Sequence, residues 1–346
     1  MKRIAVVTSS PPLTDGGHMV IARALTHALR NAGHQADIVV TPSNRFGRQA
    51  AAYLATWLTD VGMSDSGPVV QVISLRYPSY AVRHPHHVCW LNHTMREYYD
   101  LWDSFSRPLS GRGRIKERVR RTLIHAADRY LLTRNVDKLF VQSQTIKERL
   151  AIWPGLQATV LYPPAPHGPY RCERYGDFIF MVSRLTPLKR ADLLVRALAT
   201  ADGSGIKAVI AGDGEEHERL GALIAAHDLA DRVTLVGSVD QAQLLHYLAN
   251  CRAVCFPPLQ EDYGFVTIEA FSACKAVVTC TDSGGPAELV QDGVEGFVTA
   301  PTPEALARAL RTLAEDAALA EQMGERAAQR AATINWPDTV RALTSV

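Results

Sequence analysis

No stretch of this 346-residue chain approaches the ~18 consecutive apolar residues that a membrane-spanning helix requires. The opening MKRIAVVTSSPP has too short an apolar run for a secretory signal. A cytoplasmic protein is therefore expected, with room for peripheral contact at the inner membrane face. Cysteine is scarce: Cys89, Cys172, Cys251, Cys255, Cys274 and Cys280, with no Cys-x-x-Cys pair. Four of them sit in apolar runs, which reads as reduced, buried thiols rather than a disulfide frame or a zinc ribbon. Low-complexity tracts are absent, and a formal charge of +2 gives no case for nucleic acid. The fingerprint G-x-G-x-x-G is also missing, which argues against a dehydrogenase.

What is present is a repeated alternation of strand and helix. KRIAVVTSS reads as a strand, PPLTDGGH as a polar loop, HMVIARALTHALRNAGH as a helix stopped by Gly33, and ADIVV as a second strand. That order is a βαβ unit and implies a parallel sheet. The pattern resumes with DFIFMVSR, LTPLKR, ADLLVRALAT and KAVIAGDG, and the short strands RVTLVGSV, RAVCFPP, AVVTCTD and EGFVTA follow. Residues 161–176, LYPPAPHGPYRCERYG, hold four prolines and read as a linker. At this length two domains are expected. The first spans 1–162, the linker proper 163–172 and the second 173–335. A strongly helical tail follows from PEALARAL, and a last short helix at 336–346 is expected to pack back on the first domain.

The segment QEDYGFVTIEAFSACKAVV, residues 260–278, sets a chemical problem. Glu269 falls inside an apolar run, and burying an ionised acid costs several kcal/mol unless it is paired. Lys275 is six positions on, about 240° around a helix, and cannot serve it along that face. Glu269 is either a structural acid satisfied by backbone or a distant Arg, or the acceptor for paired hydroxyls such as those of a ribose. Glu261, in the loop before the helix, is placed to take sugar hydroxyls, with amides around Gly264 and Phe265 alongside. Arg184 at the end of a strand and Lys189 five residues later suit a diphosphate, or else form a solvated basic loop. Gly16-Gly17 opens the first helix, as an ordinary turn or as a close approach to phosphate.

The order Gly-Gly, SRLTPLKR, AGDG, EDYGFVTIEAF and DSGGPAELV resembles the retaining family 4 glycosyltransferases of GT-B fold, which carry a glutamate-x7-glutamate motif. The resemblance is strong over residues 173–300. It is looser across the first domain, where NHTMREYYDLW, KLFVQSQTIKERL and LYPP carry it. It implies two doubly wound Rossmann-like domains facing each other across a cleft. The activity implied is transfer of a sugar from a UDP- or GDP-sugar to a hydroxyl acceptor with retained configuration, the acceptor being a saccharide, a lipid-linked saccharide or another glycoconjugate precursor. By the same resemblance Arg184 and Lys189 hold the diphosphate and Glu269 the ribose. Glu261 contacts the transferred sugar with backbone from Asp262, Tyr263, Gly264, Phe265 and Val266. Gly16 and Gly17 approach the donor from the first domain, and His93 lines the acceptor side. No cofactor is implied and no metal, and no Asp-x-Asp motif occurs. Asp262-Tyr263 stands where many members have glycine-phenylalanine, a variant that does not identify the sugar. A sugar-nucleotide epimerase or hydrolase, or a non-catalytic sugar-nucleotide binder, is the alternative on the same fold.

Two further clusters remain. RHPHH at 83–87 has irregular spacing for a metal site. RPLSGRGRIKERVRR at 107–121 sets seven basic side chains against one Glu, which suits an anionic lipid surface, a phosphate-bearing acceptor or simply a solvated helix face.

Overall fold

The β-branched run of β1 (Arg3–Ser10) is buried from its second residue onward, as a central strand of a sheet covered on both faces must be. The computed structural model describes residues 1–11, 16–42, 46–65, 67–166 and 168–345, so residues 12–15 of the loop PPLTDGGH lie outside the described residues. The chain divides into two units, one of Met1–Pro163 with Asn335–Val346 and one of Pro164–Ile334.

In the first unit the strands after β1 are β2 (Gln35–Pro42), a small hairpin of β3 (Met63–Ser64) and β4 (Gly67–Pro68), then β5 (Gln71–Arg76), β6 (His87–His93), β7 (Lys138–Val141) and β8 (Thr159–Val160). The main sheet is parallel throughout, in the order β2-β1-β5-β6-β7-β8. Its helices are α1 (Gly17–Asn31), α2 (Gln49–Trp57), α3 (Trp102–Ser106), α4 (Gly111–Arg134) and α5 (Gln144–Leu150). α1 forms because Ile21, Leu25 and Leu29 recur every four residues and all three are wholly buried, worth roughly 1.5–3 kcal/mol each. Gly33, at φ 83°, ends it. The helix Trp336–Thr344 also belongs to this unit. Trp336 meets Trp90 edge-on at 6.3 Å, while Lys2 and Gln71 donate to the carbonyls of Thr344 and Leu343, each at 2.7 Å.

The second unit contains β9 (Phe178–Val182), β10 (Lys207–Ala211), β11 (Val233–Gly237), β12 (Ala253–Cys255), β13 (Val277–Cys280) and β14 (Gly296–Thr299). They form a parallel sheet in the order β11-β10-β9-β12-β13-β14. Helices α6 (Ala191–Leu198), α7 (His217–Ala226), α8 (Gln241–Asn250), α9 (Phe265–Ser272), α10 (Gly285–Leu289), α11 (Pro303–Glu315) and α12 (Ala317–Ala332) complete it. The helix Trp336–Thr344 is accordingly α13.

One local expectation needs correction. β9 ends at Val182, so Arg184 stands in the following loop and not at the end of a strand. There the backbone leaves the ladder, and Leu185 N–H turns to the carbonyl of Asp213 at 2.9 Å. Lys189 closes a single 3-10 turn, Pro187–Lys189, ahead of α6. The helical tail divides into α11 and α12, because the Asp316 side chain caps a new start by accepting from Leu319 N–H at 2.9 Å.

Candidate active site

Four loops leave the carboxyl ends of adjacent strands in the second unit: 183–190 after β9, 212–216 after β10, 256–264 after β12 and 281–284 after β13. From β9 the chain moves outward to β10 and β11, then returns to β12 on the other side of β9. The β9 and β12 loops thus diverge at a topological switch point, where open parallel sheets form their ligand crevice. Lys189 comes from one loop and Glu261 from the other. Their Nζ and Oε2 lie 2.5 Å apart, and both side chains are only about a fifth exposed (22% and 20%). Lys189 also lies 5.6 Å above the Phe256 ring.

The backbone around Glu261 is tightly set. Its N–H donates to Ser283 O at 2.9 Å, and its own carbonyl accepts from Gly285 N–H at 3.0 Å. Gly284, at φ 70°, makes this possible, since a Cβ there would stand 2.5 Å from Glu261 O. Gly264, in the left-handed region, starts α9, whose first turn leaves the amides of Phe265 and Val266 pointing outward without helical acceptors. Tyr263 is buried and packs edge-on against Phe265 at 5.3 Å, and Asp262 is half-buried.

Glu269, the fifth residue of α9, is 5% exposed. Tyr170 OH, from the proline-rich segment, donates to its Oε1 at 3.4 Å, and burial pushes the carboxyl up to about 7. Lys275 does not serve it. Lys275 is itself buried, donating to Arg174 O at 2.6 Å and standing 4.2 Å over the Tyr175 ring. Arg184 is exposed, and among the described residues its guanidinium has no ion-pair or hydrogen-bond partner. Of the remaining candidates, Gly16 is the N-cap of α1, Gly17 its first residue, and His93 the last residue of β6; all three lie in the first unit.

Sequence reasoning missed Arg190. Held at φ 51°, it forks onto Asp282 at 2.8 and 2.6 Å and donates to the carbonyls of Pro257 and Pro258 at 2.7 and 2.8 Å. One guanidinium thus ties three of the four loops together. The signal was the adjacent pair Lys189-Arg190 with an Asp in DSGG, but nothing in spacing alone joins positions 92 apart. Also missed was a buried polar group in the first unit. Asn92 Oδ1, Thr94 Oγ1 and both amide atoms of Gln142 have no hydrogen-bond partner among the described residues. Asn92 is the next-to-last residue of β6, Thr94 follows that strand, and Gln142 follows β7, with its N–H donating to Leu91 O at 3.0 Å. The RHPHH segment is spent on structure: His87 is buried against Ser74 Oγ at 2.8 Å, and no group of three metal-ligating side chains is found among the described residues.

Residues 174–330 match the family model described as glycosyl transferases group 1. A D-inositol 3-phosphate glycosyltransferase of Kineococcus radiotolerans is 29% identical over 251 residues, 65% of this chain and 58% of that protein. An alpha-D-kanosaminyltransferase of Streptomyces kanamyceticus is 34% identical over 164 residues, 45% of this chain and 42% of that one. The chain thus spans under two thirds of the length of these curated relatives. Among solved structures, sucrose-phosphate synthase of Thermosynechococcus elongatus superposes with TM-score 0.76 at 19% identity, covering 100% of this chain and 98% of that one. Anabaena HepE, solved with UDP and glucose, gives 0.69 at 19% identity over 99% of this chain and 100% of its own. The two parallel-sheet Rossmann-like units share the GT-B fold of these solved structures, and over residues 174–330 the chain is similar to the glycosyl transferases group 1.

Proposed function

We propose that this chain is a retaining hexosyltransferase that moves a sugar from a UDP- or GDP-sugar to a hydroxyl acceptor without a metal ion. The observation that carries the reading is the meeting of Lys189 with Glu261 at the switch point of the second sheet. A cation and an acid brought together there match a donor with a diphosphate at one end and sugar hydroxyls at the other. In this reading Arg184 and Lys189 take the diphosphate, Glu261 the transferred sugar, and Glu269 the ribose, with the amides of Phe265 and Val266 alongside. HepE, with UDP and glucose in its structure, and the kanosaminyltransferase support the donor class. Gly16, Gly17 and His93 keep the donor-approach and acceptor-side roles set out above.

The chemistry follows from these assignments. Both glutamates are committed to hydroxyls, so neither is the nucleophile. The acceptor hydroxyl attacks the anomeric carbon on the face the diphosphate leaves, and the departing phosphate oxygen takes the hydroxyl proton. Arg184 and Lys189 stabilise the charge that grows on the diphosphate as the bond to the anomeric carbon breaks. Proton NMR of the product's anomeric coupling, with and without EDTA, tests both halves. An α-linked product from an α-linked donor, formed equally in chelator, is expected. A β-linked product, or activity abolished by EDTA, overturns the reading.

A further inference from the structure

In the first unit α4 presents an apolar stripe to solvent. Ile115, Val119, Leu123 and Tyr130 are each more than half exposed, and their spacing puts them within about 80° on one face of the helix. Lys116 borders the stripe on one side and Arg118 on the other. An apolar groove of about 520 Å³ continues it toward α2, lined by Tyr53, Leu54, Trp57, Leu123, Ala127 and Tyr130. Exposed Arg83 lies over the Trp57 ring at 5.0 Å on the rim.

The stripe faces outward because the opposite face of α4 is fixed. Glu117 and Asp128, eleven residues apart and so about 20° apart on the helix, are both buried. Asp128 accepts from the hydroxyls of Tyr53, Tyr80 and Tyr99. Glu117 accepts from Tyr98 at 2.6 Å and from Arg120 at 2.7 Å. Rolling the stripe inward would pull two buried acids from their partners. Arg120 and Arg121 are likewise used within the unit, but Arg107, Arg112, Arg114, Lys116 and Arg118 are exposed. From 104 to 127 the single acidic residue is the buried Glu117.

We propose that this face of α2 and α4 docks on an anionic phospholipid surface, the cations meeting headgroup phosphates and the stripe entering the acyl boundary. Charge chooses this occupant: a run of exposed cations beside an apolar stripe, with no exposed acid from 104 to 127, supplies both of the signals that stable peripheral binding needs. Among the described residues no helix is long and apolar enough to cross a membrane, so the contact proposed is with the surface.

Co-sedimentation of the full chain with vesicles of phosphatidylcholine alone, or with phosphatidylglycerol added, tests it. Binding is expected only with phosphatidylglycerol and should fall as salt rises. Lys116→Glu with Arg118→Glu should abolish it, and Val119→Asp with Leu123→Asp should weaken it at least tenfold, with circular dichroism confirming the fold. Should either pair misfold, Lys116→Gln with Arg118→Gln replaces it, and a several-fold loss is then required. Equal binding to both vesicles, no binding to either, or unchanged binding by the variants overturns the proposal. So does a wild-type dimer that Leu123→Asp dissociates in sedimentation velocity, since the stripe would then serve a second copy.

Discussion

Lys189 and Glu261, 72 residues apart in the chain, meet through Nζ and Oε2 at 2.5 Å. In the proposed reaction this pair must separate, since the diphosphate claims one partner and the sugar the other. With both side chains only about a fifth exposed, removing the lysine leaves Glu261 shielded and unpaired, so Lys189→Ala should cost about 1–3 kcal/mol of stability. Turnover should fall by roughly 10²-fold or more, because leaving-group charge grows in the transition state. Steady-state kinetics separate this from mere binding. A steady kcat with a raised donor KM would make Lys189 a uniform binder.

Glu269 gives a pH signature. Burial lifts its carboxyl to about 7, whereas an unfolded chain holds it near the ordinary carboxylate value. The folded state therefore keeps a proton that the unfolded state releases, and this contribution to stability is lost as pH rises toward 7. His87, lowered to about 4 by burial, pushes the other way, losing stability as pH falls. Only the difference between wild type and Glu269→Gln isolates the acid. Urea unfolding should show the variant gaining on wild type from pH 5 to pH 8, and a flat difference would refute the assignment.

Ribose hydroxyls donate to the ionised form of Glu269. Below about pH 7, nucleoside diphosphate affinity should weaken by up to ~10-fold per pH unit. Calorimetry should also find Glu269→Gln weaker by roughly 1.5–3 kcal/mol at neutral pH, with that slope gone. Full affinity in the folded variant would return Glu269 to a structural role.

Arg190 is a brace and not a ligand in this account. Arg190→Ala leaves Asp282 and two proline carbonyls without a donor, at a cost of about 2–4 kcal/mol for so partly shielded a fork. Arg190→Lys should recover little, since an ammonium cannot span the same acceptors. Chemical denaturation gives the measure, and full recovery by Lys would reduce Arg190 to a point charge.

Gly284→Ala and Gly33→Ala form a matched pair. Both positions have positive φ, at 70° and 83°, but ψ of −125° puts Gly284 in a region that only glycine enters, and a Cβ at 33 meets nothing within 4 Å while one at 284 stands 2.5 Å from Glu261 O. Gly33→Ala should cost ~1–2 kcal/mol and spare activity. Gly284→Ala should cost more and displace Glu261, with activity lost. Equal effects would show that the close packing at Glu261 is dispensable.

Strand and helix order was legible because burial on both faces of a parallel sheet writes short apolar runs, and α1 writes its own periodicity. Glu261, Arg184 and Lys189 stood out in the sequence as charged groups at loop positions, and Glu269 as an acid inside an apolar run. What escaped was long-range. The partners of Arg190 lie 67 to 92 residues away, and the hydroxyl that reaches Glu269 comes from 99 residues earlier. The length of α4 was hidden as well, because its 24 residues are mostly polar and its buried face mixes Ile124, Leu131 and Leu132 with Glu117 and Asp128, acids that read as surface. Acids held inward by tyrosine hydroxyls carry no hydrophobic signal.

Because α13 completes the unit that β1 begins, the first unit is discontinuous in sequence and the second, Pro164–Ile334, is inserted within it. Lys2 donates to Thr344 across 342 residues of chain, and loop closure over such a span carries an entropy cost that the continuous second unit does not bear, so the first unit should be the slower of the two to complete.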